Sequence, residues 1–286
     1  MDRIINGETR ICGLVGDPLG YTVSPLMHNA AFEKLGLNYL YVPFTVKRED
    51  LQNAIKGLKA LNIRGFNIGM PHKMGVIPLL DKMDEMAAKI GAVNTVVNDD
   101  GILTGYNTDA IGCLNALLEK GIEPKGKNAV IIGAGGASKS ISFILADRGA
   151  NLTIINRTLS KAIEIAANIT KYYQVKIETL QLNEENLASA LKNADILLNT
   201  TKVGVVPNVD ETAVPSSLLR PDLAVFDAVY NPIKTRLLRE AEETGAIIIE
   251  GANMLLAQGA VGFEKWTGIE APVDLMREVV VKGLTG

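Results

Sequence analysis

The chain has 286 residues, of which 47% are hydrophobic and 21% are charged, so it can bury the core of one large domain or of two ordinary ones. These proportions exclude disordered and fibrous proteins. The net charge of -3, with lysines and arginines scattered along the chain, argues against a nucleic-acid partner and favours a small-molecule one.

Cysteine usage and hydropathy point to a cytoplasmic protein. Cys12 and Cys113 are isolated from each other and from any histidine cluster, so we expect two buried thiols and neither a disulfide framework nor a metal site. Residues 1–10 carry charges and lack the apolar core of a signal peptide. No apolar run approaches the roughly 18 residues that span a bilayer, so no membrane partner is expected.

The first hundred residues alternate between apolar runs and amphipathic stretches, a rhythm typical of parallel sheets covered by helices. Helices are predicted over residues 24–35 and 50–60. Strands are predicted over residues 11–15, 40–44, 64–68 and 92–97.

The same rhythm starts again after Gly126, and a helical tail follows it. Strands are predicted over residues 129–132, 152–155, 196–199, 224–227 and 247–250. The tail is predicted to form two helices separated at residues 267–272. It has no sheet to extend, so we expect it to return to the first unit.

The resulting fold class is α/β with two lobes and a cleft between them. Residues 1–110 would form an open α/β substrate domain, on which residues 254–286 pack. Residues 111–253 would form a Rossmann-type dinucleotide-binding domain.

A glycine-rich segment follows the predicted strand 129–132 and leads directly into a helix. The segment reads Gly133, Ala134, Gly135, Gly136, Ala137, Ser138. Glycines at such a turn let a pyrophosphate approach the backbone, where free N–H groups and the positive end of the helix stabilise its charge. The alternative is a tight strand-to-helix turn that binds no ligand.

The next predicted strand ends at Asn156, Arg157 and Thr158, with Lys161 one helical turn further on. NAD-binding proteins usually carry an acidic residue at this place for the free ribose 2′-hydroxyl. The Arg157 guanidinium is suited instead to a 2′-phosphate, which favours NADP(H), although NAD stays possible. Alternatively, Arg157 and Lys161 are only the solvated start of a helix.

Four polar clusters in the first unit are predicted to lie in loops after strands, where open α/β sheets bind ligands. Each has a structural alternative: Ser24 or Thr108 and Asp109 as helix caps, Lys73 as a surface lysine. Tyr41 is either a further substrate contact or an aromatic residue packed on a strand. The clusters are residues 22–25, 67–73, 91–95 and 105–109.

These motifs, in this order, resemble the shikimate dehydrogenase family from Ile11 to about Gly283. The resemblance rests on Ser24–His28, Pro71–Lys73, 91–95, 106–109, the glycine segment, 156–158, 199–201, 227–232 and 251–258. It implies the reversible NADPH-dependent reduction of 3-dehydroshikimate to shikimate, a step of aromatic amino acid (chorismate) biosynthesis.

The resemblance also implies roles for individual residues. Lys73 and Asp109 would be the catalytic pair, with lysine relaying the proton of the oxidised hydroxyl and aspartate orienting it. The other implied substrate residues are Thr22 and Ser24 for the carboxylate, Asn94, Asp109 and Gln258 for ring hydroxyls, and Thr108 and Tyr230 near the substrate. The implied cofactor residues are 133–137, Asn156, Arg157, Thr158, Lys161, Thr200, Ala228 and, near the nicotinamide, Gly251.

The chain also departs from the common pattern of the family. Thr22 stands where serine is usual and Gly69 where threonine is usual, so one hydroxyl contact to the ring is missing. Stretches such as Met70–Lys73 and residues 98–101 look closer to the quinate/shikimate dehydrogenase branch, which accepts both substrates and often NAD. No acidic residue follows Arg157 within residues 158–161, so the local charge favours NADP.

Other functions stay open as alternatives. One is a quinate/shikimate dehydrogenase that uses NAD or NADP; another is a catalytically dead module that senses these ligands. A third is a different two-lobed NADP enzyme that shares only the nucleotide domain. Hydrolase chemistry is not favoured, because His28 and His72 have no nucleophile motif around them. A monomer and a homodimer are both compatible with the sequence.

Overall fold

Two compact units make up the chain: Met1–Thr108 with Leu256–Gly286, and Asp109–Leu255. The computed structural model describes residues 5–20 and 22–285. The first four residues of the N-terminal segment, Tyr21 and the last residue of the tail lie outside the described residues. No helix of the described part is both long enough and apolar enough to cross a membrane.

A mixed sheet of six described strands, in the order β2-β1-β3-β5-β6-β4, forms the centre of the first unit. All four strands predicted there are found, with residues 92–94 left outside the last of them. In chain order its elements are β1 (Arg10–Gly16), α1 (Ser24–Lys34), β2 (Tyr39–Thr45), α2 (Leu51–Ala60), β3 (Gly65–Ile68), β4 (Lys82–Met83), α3 (Glu85–Ile90), β5 (Thr95–Asp99) and β6 (Ile102–Tyr106).

The expectation of a wholly parallel first sheet is wrong, because β5 runs antiparallel to both β3 and β6. The antiparallel pairing with β6 follows from the two-residue hairpin that joins the two strands. Asp100 and Gly101 have φ angles of 50° and 85°, the left-handed conformation that such turns require. The Asn98 side chain accepts a hydrogen bond from Gly101 N at 2.8 Å and fixes the turn.

The two helices that follow residue 250 pack on this first unit, as the sequence predicts. Trp266 is fully buried, and its indole Nε1 donates to the carbonyl of Val96 on β5 at 3.0 Å. The last helix packs against α1. The two helices are α9 (Gly251–Thr267) and α10 (Val273–Thr285).

The second unit has a parallel sheet of six described strands in the order β12-β11-β10-β7-β8-β9. The five predicted strands are confirmed; β9 was not predicted because it is a half-exposed edge strand without a continuous apolar run. Its elements are α4 (Asp109–Glu119), β7 (Asn128–Ile132), α5 (Gly136–Asp147), β8 (Asn151–Asn156), α6 (Leu159–Ile169), β9 (Ile177–Gln181), α7 (Glu184–Leu191), β10 (Ile196–Asn199), β11 (Ala224–Asp227), α8 (Arg236–Glu243) and β12 (Ile247–Glu250).

This strand order is that of a doubly wound nucleotide-binding domain. The strands β8 and β9 follow on one side of β7, and the chain then returns so that β10 pairs with the other side of β7. Ligands of such sheets bind beyond the carboxyl ends of the strands, at this switch point. The glycine turn after β7 and Thr200 after β10 both lie there.

Both cysteines are buried, in agreement with their interpretation as ordinary core thiols. Burial raises the pKa of the Cys12 thiol, against the opposing effect of Arg64 and Arg10. Burial also raises the pKa of the Cys113 thiol, and Asp109 adds to this effect. Neither thiol is therefore a nucleophile at neutral pH.

Candidate active site

The polar clusters of the first unit meet at one edge of its sheet. The carboxyl ends of β1, β3 and β6 lie at this edge, and so does the amino end of β5, because β5 runs the opposite way. The prediction that cluster 91–95 follows a strand is therefore wrong. Residues 91–94 precede β5, which begins at Thr95, and the cluster reaches the same edge because that strand runs in the opposite direction.

Asn94 and two other predicted substrate residues, Thr108 and Gln258, form a buried hydrogen-bond network. Its side-chain oxygen accepts from Thr108 N at 2.7 Å, and its Nδ2 donates to Thr108 Oγ1 at 2.9 Å. The same Nδ2 lies 3.4 Å from Gln258 Oε1 on α9. All three residues are at most 8% exposed, so groups that donate and accept hydrogen bonds are concentrated here with little water.

Lys73 lies in the loop after β3, and this loop is tied to the Asn94 segment. The carbonyl of Lys73 accepts from Val93 N at 2.8 Å, and the carbonyl of Asn94 accepts from Ile68 N at 2.8 Å. Buried His72 donates from Nε2 to the carbonyl of Val46 at 2.7 Å. His72 therefore fixes the loop beside Lys73, whose side chain is half-buried.

Ser24 is the first residue of α1 and is buried, with Pro25 directly after it. Its alternative role as the N-cap is wrong, because the N-cap position belongs to Val23. Thr22 lies two residues before Ser24, and its Oγ1 accepts a hydrogen bond from Ser24 N at 3.3 Å. Two hydroxyl groups thus stand together at the start of a helix, where the macrodipole favours an anion.

Tyr41 is packed in the core, as one of its two alternatives predicts, and its hydroxyl is bonded to the polar cluster. Its ring is 1% exposed, and its OH donates to Asn67 Oδ1 at 2.7 Å. Asn67 Nδ2 in turn donates to Thr95 Oγ1 at 3.0 Å. Asn67 belongs to the predicted cluster 67–73, but the sequence predicted no individual role for it.

His28 lies one turn after Ser24 in an aromatic environment. Its ring centroid is 4.5 Å from that of Tyr41 and 5.2 Å from that of Trp266. Neither ring nitrogen has a hydrogen-bond partner in the described part of the chain. Complete burial lowers the pKa of the imidazole to about 3, so His28 is neutral at physiological pH.

In the second unit, the turn after β7 can exist only with glycine at position 133. Gly133 has a φ of 113°, and a Cβ there would lie 2.5 Å from Thr200 Oγ1. Gly133 N donates to the carbonyl of Ile155 at 2.8 Å, and Ser138 Oγ donates to the carbonyl of Gly133 at 2.8 Å. These contacts fix the turn against the ends of β8 and β10.

Gly135 is different, because open space surrounds the position of its Cβ. The helix α5 begins directly after it at Gly136, and Lys139 N donates to the carbonyl of Gly135 at 3.0 Å. Backbone N–H groups before Lys139 point out of the helix end, as at any helix N-terminus. An open glycine in front of these donors fits a dinucleotide pyrophosphate.

Arg157 and Lys161 are exposed just beyond the end of β8. Asn156 Nδ2 donates to the carbonyl of Thr158 at 2.9 Å and shapes the turn on which Arg157 stands. Two cations and no acidic side chain between them fit a dianionic 2′-phosphate.

The turn after β11 contains Ala228 and Tyr230, both half-buried. Gly251 lies against its backbone: a Cβ at Gly251 would be 2.6 to 2.8 Å from the carbonyl oxygens of Asp227, Ala228 and Val229. Only glycine therefore fits at position 251 while this turn keeps its course.

Asp227 holds this turn and is completely buried, but the sequence predicted no role for it beyond its place in the motif 227–232. Burial raises the pKa of its carboxyl group to about 7, against hydrogen bonds from Thr235, Val229 and Asn199 that lower it. Its signal in the sequence was an acidic residue at the end of an otherwise apolar strand.

Within residues 5–20 and 22–285, no group of three or more His, Cys, Asp or Glu side chains is arranged to hold a metal ion. The first unit instead offers hydroxyls, amides and a lysine, and the second unit offers a glycine turn at a switch point. This combination defines the class of dinucleotide-dependent oxidoreductases with separate nucleotide and substrate units.

Comparison with known proteins identifies the family within this class. The sequence matches family models described as "Shikimate dehydrogenase substrate binding domain" over residues 14–96, "Shikimate / quinate 5-dehydrogenase" over residues 116–220 and "Shikimate 5'-dehydrogenase C-terminal domain" over residues 251–281. Shikimate dehydrogenase (NADP(+)) of Moorella thermoacetica is 46% identical over 277 residues, which cover 96% of this chain and 94% of that protein. The chain belongs to the shikimate dehydrogenase family.

Solved structures are similar over almost the whole chain. A crystal structure of a shikimate dehydrogenase in complex with NADP+ has a TM-score of 0.92 and 43% identity, covering 99% of this chain and 98% of that one. Quinate dehydrogenase from Corynebacterium glutamicum in complex with NAD has a TM-score of 0.86 and 32% identity, covering 96% and 99%. The relatives named for shikimate and NADP(+) are thus more similar in sequence than this one named for quinate.

Proposed function

We propose that the protein catalyses the reversible NADPH-dependent reduction of 3-dehydroshikimate to shikimate. The observation that carries the proposal is the buried network of Asn94, Thr108 and Gln258 at the sheet edge, which suits a ring with several hydroxyl groups. Support also comes from the Moorella thermoacetica relative, whose name states this activity and cofactor. The reaction would serve aromatic amino acid biosynthesis.

We assign the substrate carboxylate to Ser24 and Thr22. Their hydroxyls are short donors at the start of α1, where the helix dipole adds to the attraction of an anion. Asn94, Thr108 and Gln258 would bind ring hydroxyls, with Tyr230 near the substrate. Amides suit this task because they donate and accept hydrogen bonds at the same time.

The catalytic pair proposed here is Lys73 and Asp109. When bound, the nicotinamide of NADP supplies the hydride acceptor in the oxidative direction. Lys73 would take the proton of the reacting hydroxyl, because hydride leaves the carbinol carbon only as that proton departs. Asp109 would orient the lysine and stabilise its charge.

The cofactor would lie along the carboxyl ends of the second sheet. Residues 133–137 would receive the pyrophosphate, and Arg157, Lys161, Asn156 and Thr158 the 2′-phosphate and ribose. Thr200, Ala228 and Gly251 would line the nicotinamide half.

A second candidate substrate is quinate, and one observation favours it. Gly69 offers no side chain at the edge of the first sheet, where the polar clusters meet. A Cβ at position 69 would be 3.4 Å from the carbonyl oxygen of Val15, so there is room for a side chain that the protein does not have. A larger or differently substituted ring then has more room. The quinate dehydrogenase of Corynebacterium glutamicum shares the fold.

A steady-state assay of shikimate and quinate, each with NADP+ and NAD+, tests these proposals. We expect turnover of shikimate with a lower KM for NADP+ than for NAD+. Comparable kcat/KM for quinate would establish the broader specificity instead. Binding of shikimate without turnover under all four conditions would contradict the enzyme and favour a sensing module.

The cellular location and the assembly are also proposals. The absence of a membrane-spanning helix in the described part of the chain is compatible with the cytoplasm, where we place the protein. We expect a monomer or a homodimer, which light scattering coupled to size-exclusion chromatography distinguishes.

A further inference from the structure

The carboxyl group of Asp227 is fully buried at the end of β11, and its two oxygens receive three hydrogen bonds. Oδ1 accepts from Asn199 Nδ2 at 2.9 Å and from Val229 N at 3.0 Å. Oδ2 accepts from Thr235 Oγ1 at 2.6 Å, and Thr235 also caps the start of α8. One side chain thus joins β10, the turn after β11 and the helix that follows this turn.

The bond to Asn199 extends the network to the turn after β10. Asn199 lies beside Asp227 in the sheet, and its Oδ1 accepts from Thr201 N at 3.1 Å and from Thr201 Oγ1 at 2.7 Å. Thr200 lies between Asn199 and Thr201, and its Oγ1 approaches Gly133 so closely that no Cβ fits at position 133. The position of the glycine turn is therefore coupled to the Asp227 carboxyl group.

The other side of the turn after β11 is held by Gly251, against the carbonyls of Asp227, Ala228 and Val229. The turn is thus fixed between the Asp227 side chain and the start of α9. We propose that Asp227 is a positioning residue of the dinucleotide site, which holds the turns after β10 and β11 where they receive the cofactor. This inference rests on the proposed binding of NADP(H) to the second unit.

The role requires hydrogen-bond acceptors at position 227 and does not require a full negative charge. Asparagine keeps an oxygen for Asn199 and Val229, and its amide nitrogen can donate to Thr235 Oγ1. Alanine leaves Asn199 Nδ2, Val229 N and the Thr235 hydroxyl without their acceptor. Asp227→Asn is therefore a conservative variant and Asp227→Ala a disruptive one.

Asp195 provides a matched control at the opposite end of the same strands. It precedes β10, and its carboxylate accepts from Asn128 N at 2.8 Å and from Lys127 Nζ at 3.3 Å. Asp195→Ala also removes a carboxylate that binds backbone in this sheet, but far from the carboxyl ends of the strands. A general loss of stability would appear in both alanine variants.

The test is a titration of the full-length variants with NADPH, followed by protein fluorescence, together with KM values for NADP+ and shikimate. For Asp227→Ala we expect the Kd of NADPH to rise about tenfold or more, equal to about 1.4 kcal/mol. The KM of NADP+ should rise with it, while the KM of shikimate stays within about twofold, because the turns carry the nucleotide. Asp227→Asn and Asp195→Ala should keep the Kd within about threefold of the unmodified protein.

An unchanged NADPH affinity in folded Asp227→Ala would overturn the inference, and so would equal losses in Asp227→Ala and Asp195→Ala. If Asp227→Ala does not fold, Thr235→Val tests the same claim, with an expected rise of about threefold or more in Kd; an unchanged value overturns it. Failure of the unmodified protein to bind NADPH would instead contradict the proposed function.

Discussion

Lys73 lies in a loop whose backbone is held on both sides, by Val93 N and by the His72 imidazole. If it relays the proton, Lys73→Ala should lower kcat by about 10² to 10⁴, the usual contribution of general acid/base catalysis. Steady-state kinetics with shikimate and NADP+ measure this. Lys82→Ala, at an exposed lysine of β4, is the control and should retain full kcat. Near-normal kcat in the Lys73 variant would rule out the role.

His28 offers a prediction about stability rather than catalysis. Its pKa is about 3 in the folded protein and 6.5 as the ordinary value, so the folded state disfavours the charged ring. The stability that neutral His28 contributes is complete above pH 6.5 and is lost as pH falls from there towards 3.

His28→Phe keeps an aromatic ring and removes this titration. The unfolding free energy of the unmodified protein should therefore fall relative to that of the variant by about 1.4 kcal/mol per pH unit below 6.5. Urea unfolding at pH 7.5, 6 and 5 checks this. Parallel stability curves for the two proteins would show that the imidazole is not held neutral.

At the scale of elements, Gly133 and Gly135 separate the demands of the fold from those of the cofactor. Gly133→Ala places a methyl group 2.5 Å from Thr200 Oγ1 at a φ of 113°, so the unfolding free energy should fall by about 1–3 kcal/mol. Gly135→Ala has open space and an ordinary φ of -96°, so stability should change by less than about 0.5 kcal/mol.

The order of the two variants should be reversed for cofactor affinity. Relative to the stability that each variant loses, Gly135→Ala should weaken NADPH binding more than Gly133→Ala does. The methyl group that Gly135→Ala adds occupies the space through which the pyrophosphate approaches, so the Kd of NADPH should rise about tenfold or more. Thermal unfolding and NADPH titration of both variants test this. An unchanged affinity of Gly135→Ala for NADPH would show that the pyrophosphate does not bind at this turn.

Most elements could be predicted from the sequence because their strands are continuous apolar runs that end at Gly, Pro or Asn. The strands β4, β6 and β9 escaped prediction, because β4 has only two residues and β6 and β9 contain polar residues among the apolar ones. The direction of β5 escaped because periodicity is the same for parallel and antiparallel strands. The Asp100-Gly101 turn was the local signal that could have revealed it.

The site itself was predictable only in part, for a reason of distance along the chain. Asn94 and Gln258 are 164 residues apart, and no local pattern shows that their side chains meet. Family resemblance supplied the roles of both residues, whereas the roles of Asp227 and Asn67 emerged from their buried hydrogen bonds. Local chemistry predicts which residues are suited to a ligand, and tertiary structure decides which of them act together.

At the scale of the whole molecule, the proposed function depends on Lys73 and Asp109 acting together as the catalytic pair. The most direct test of this catalytic pair would be a crystal structure of the protein with NADP+ and shikimate bound. We predict Lys73 Nζ within about 3.2 Å of the hydroxyl on the carbon that faces the nicotinamide, the reach of a general base, with Asp109 beside it. A complex in which Lys73 and Asp109 point away from that hydroxyl would contradict the account.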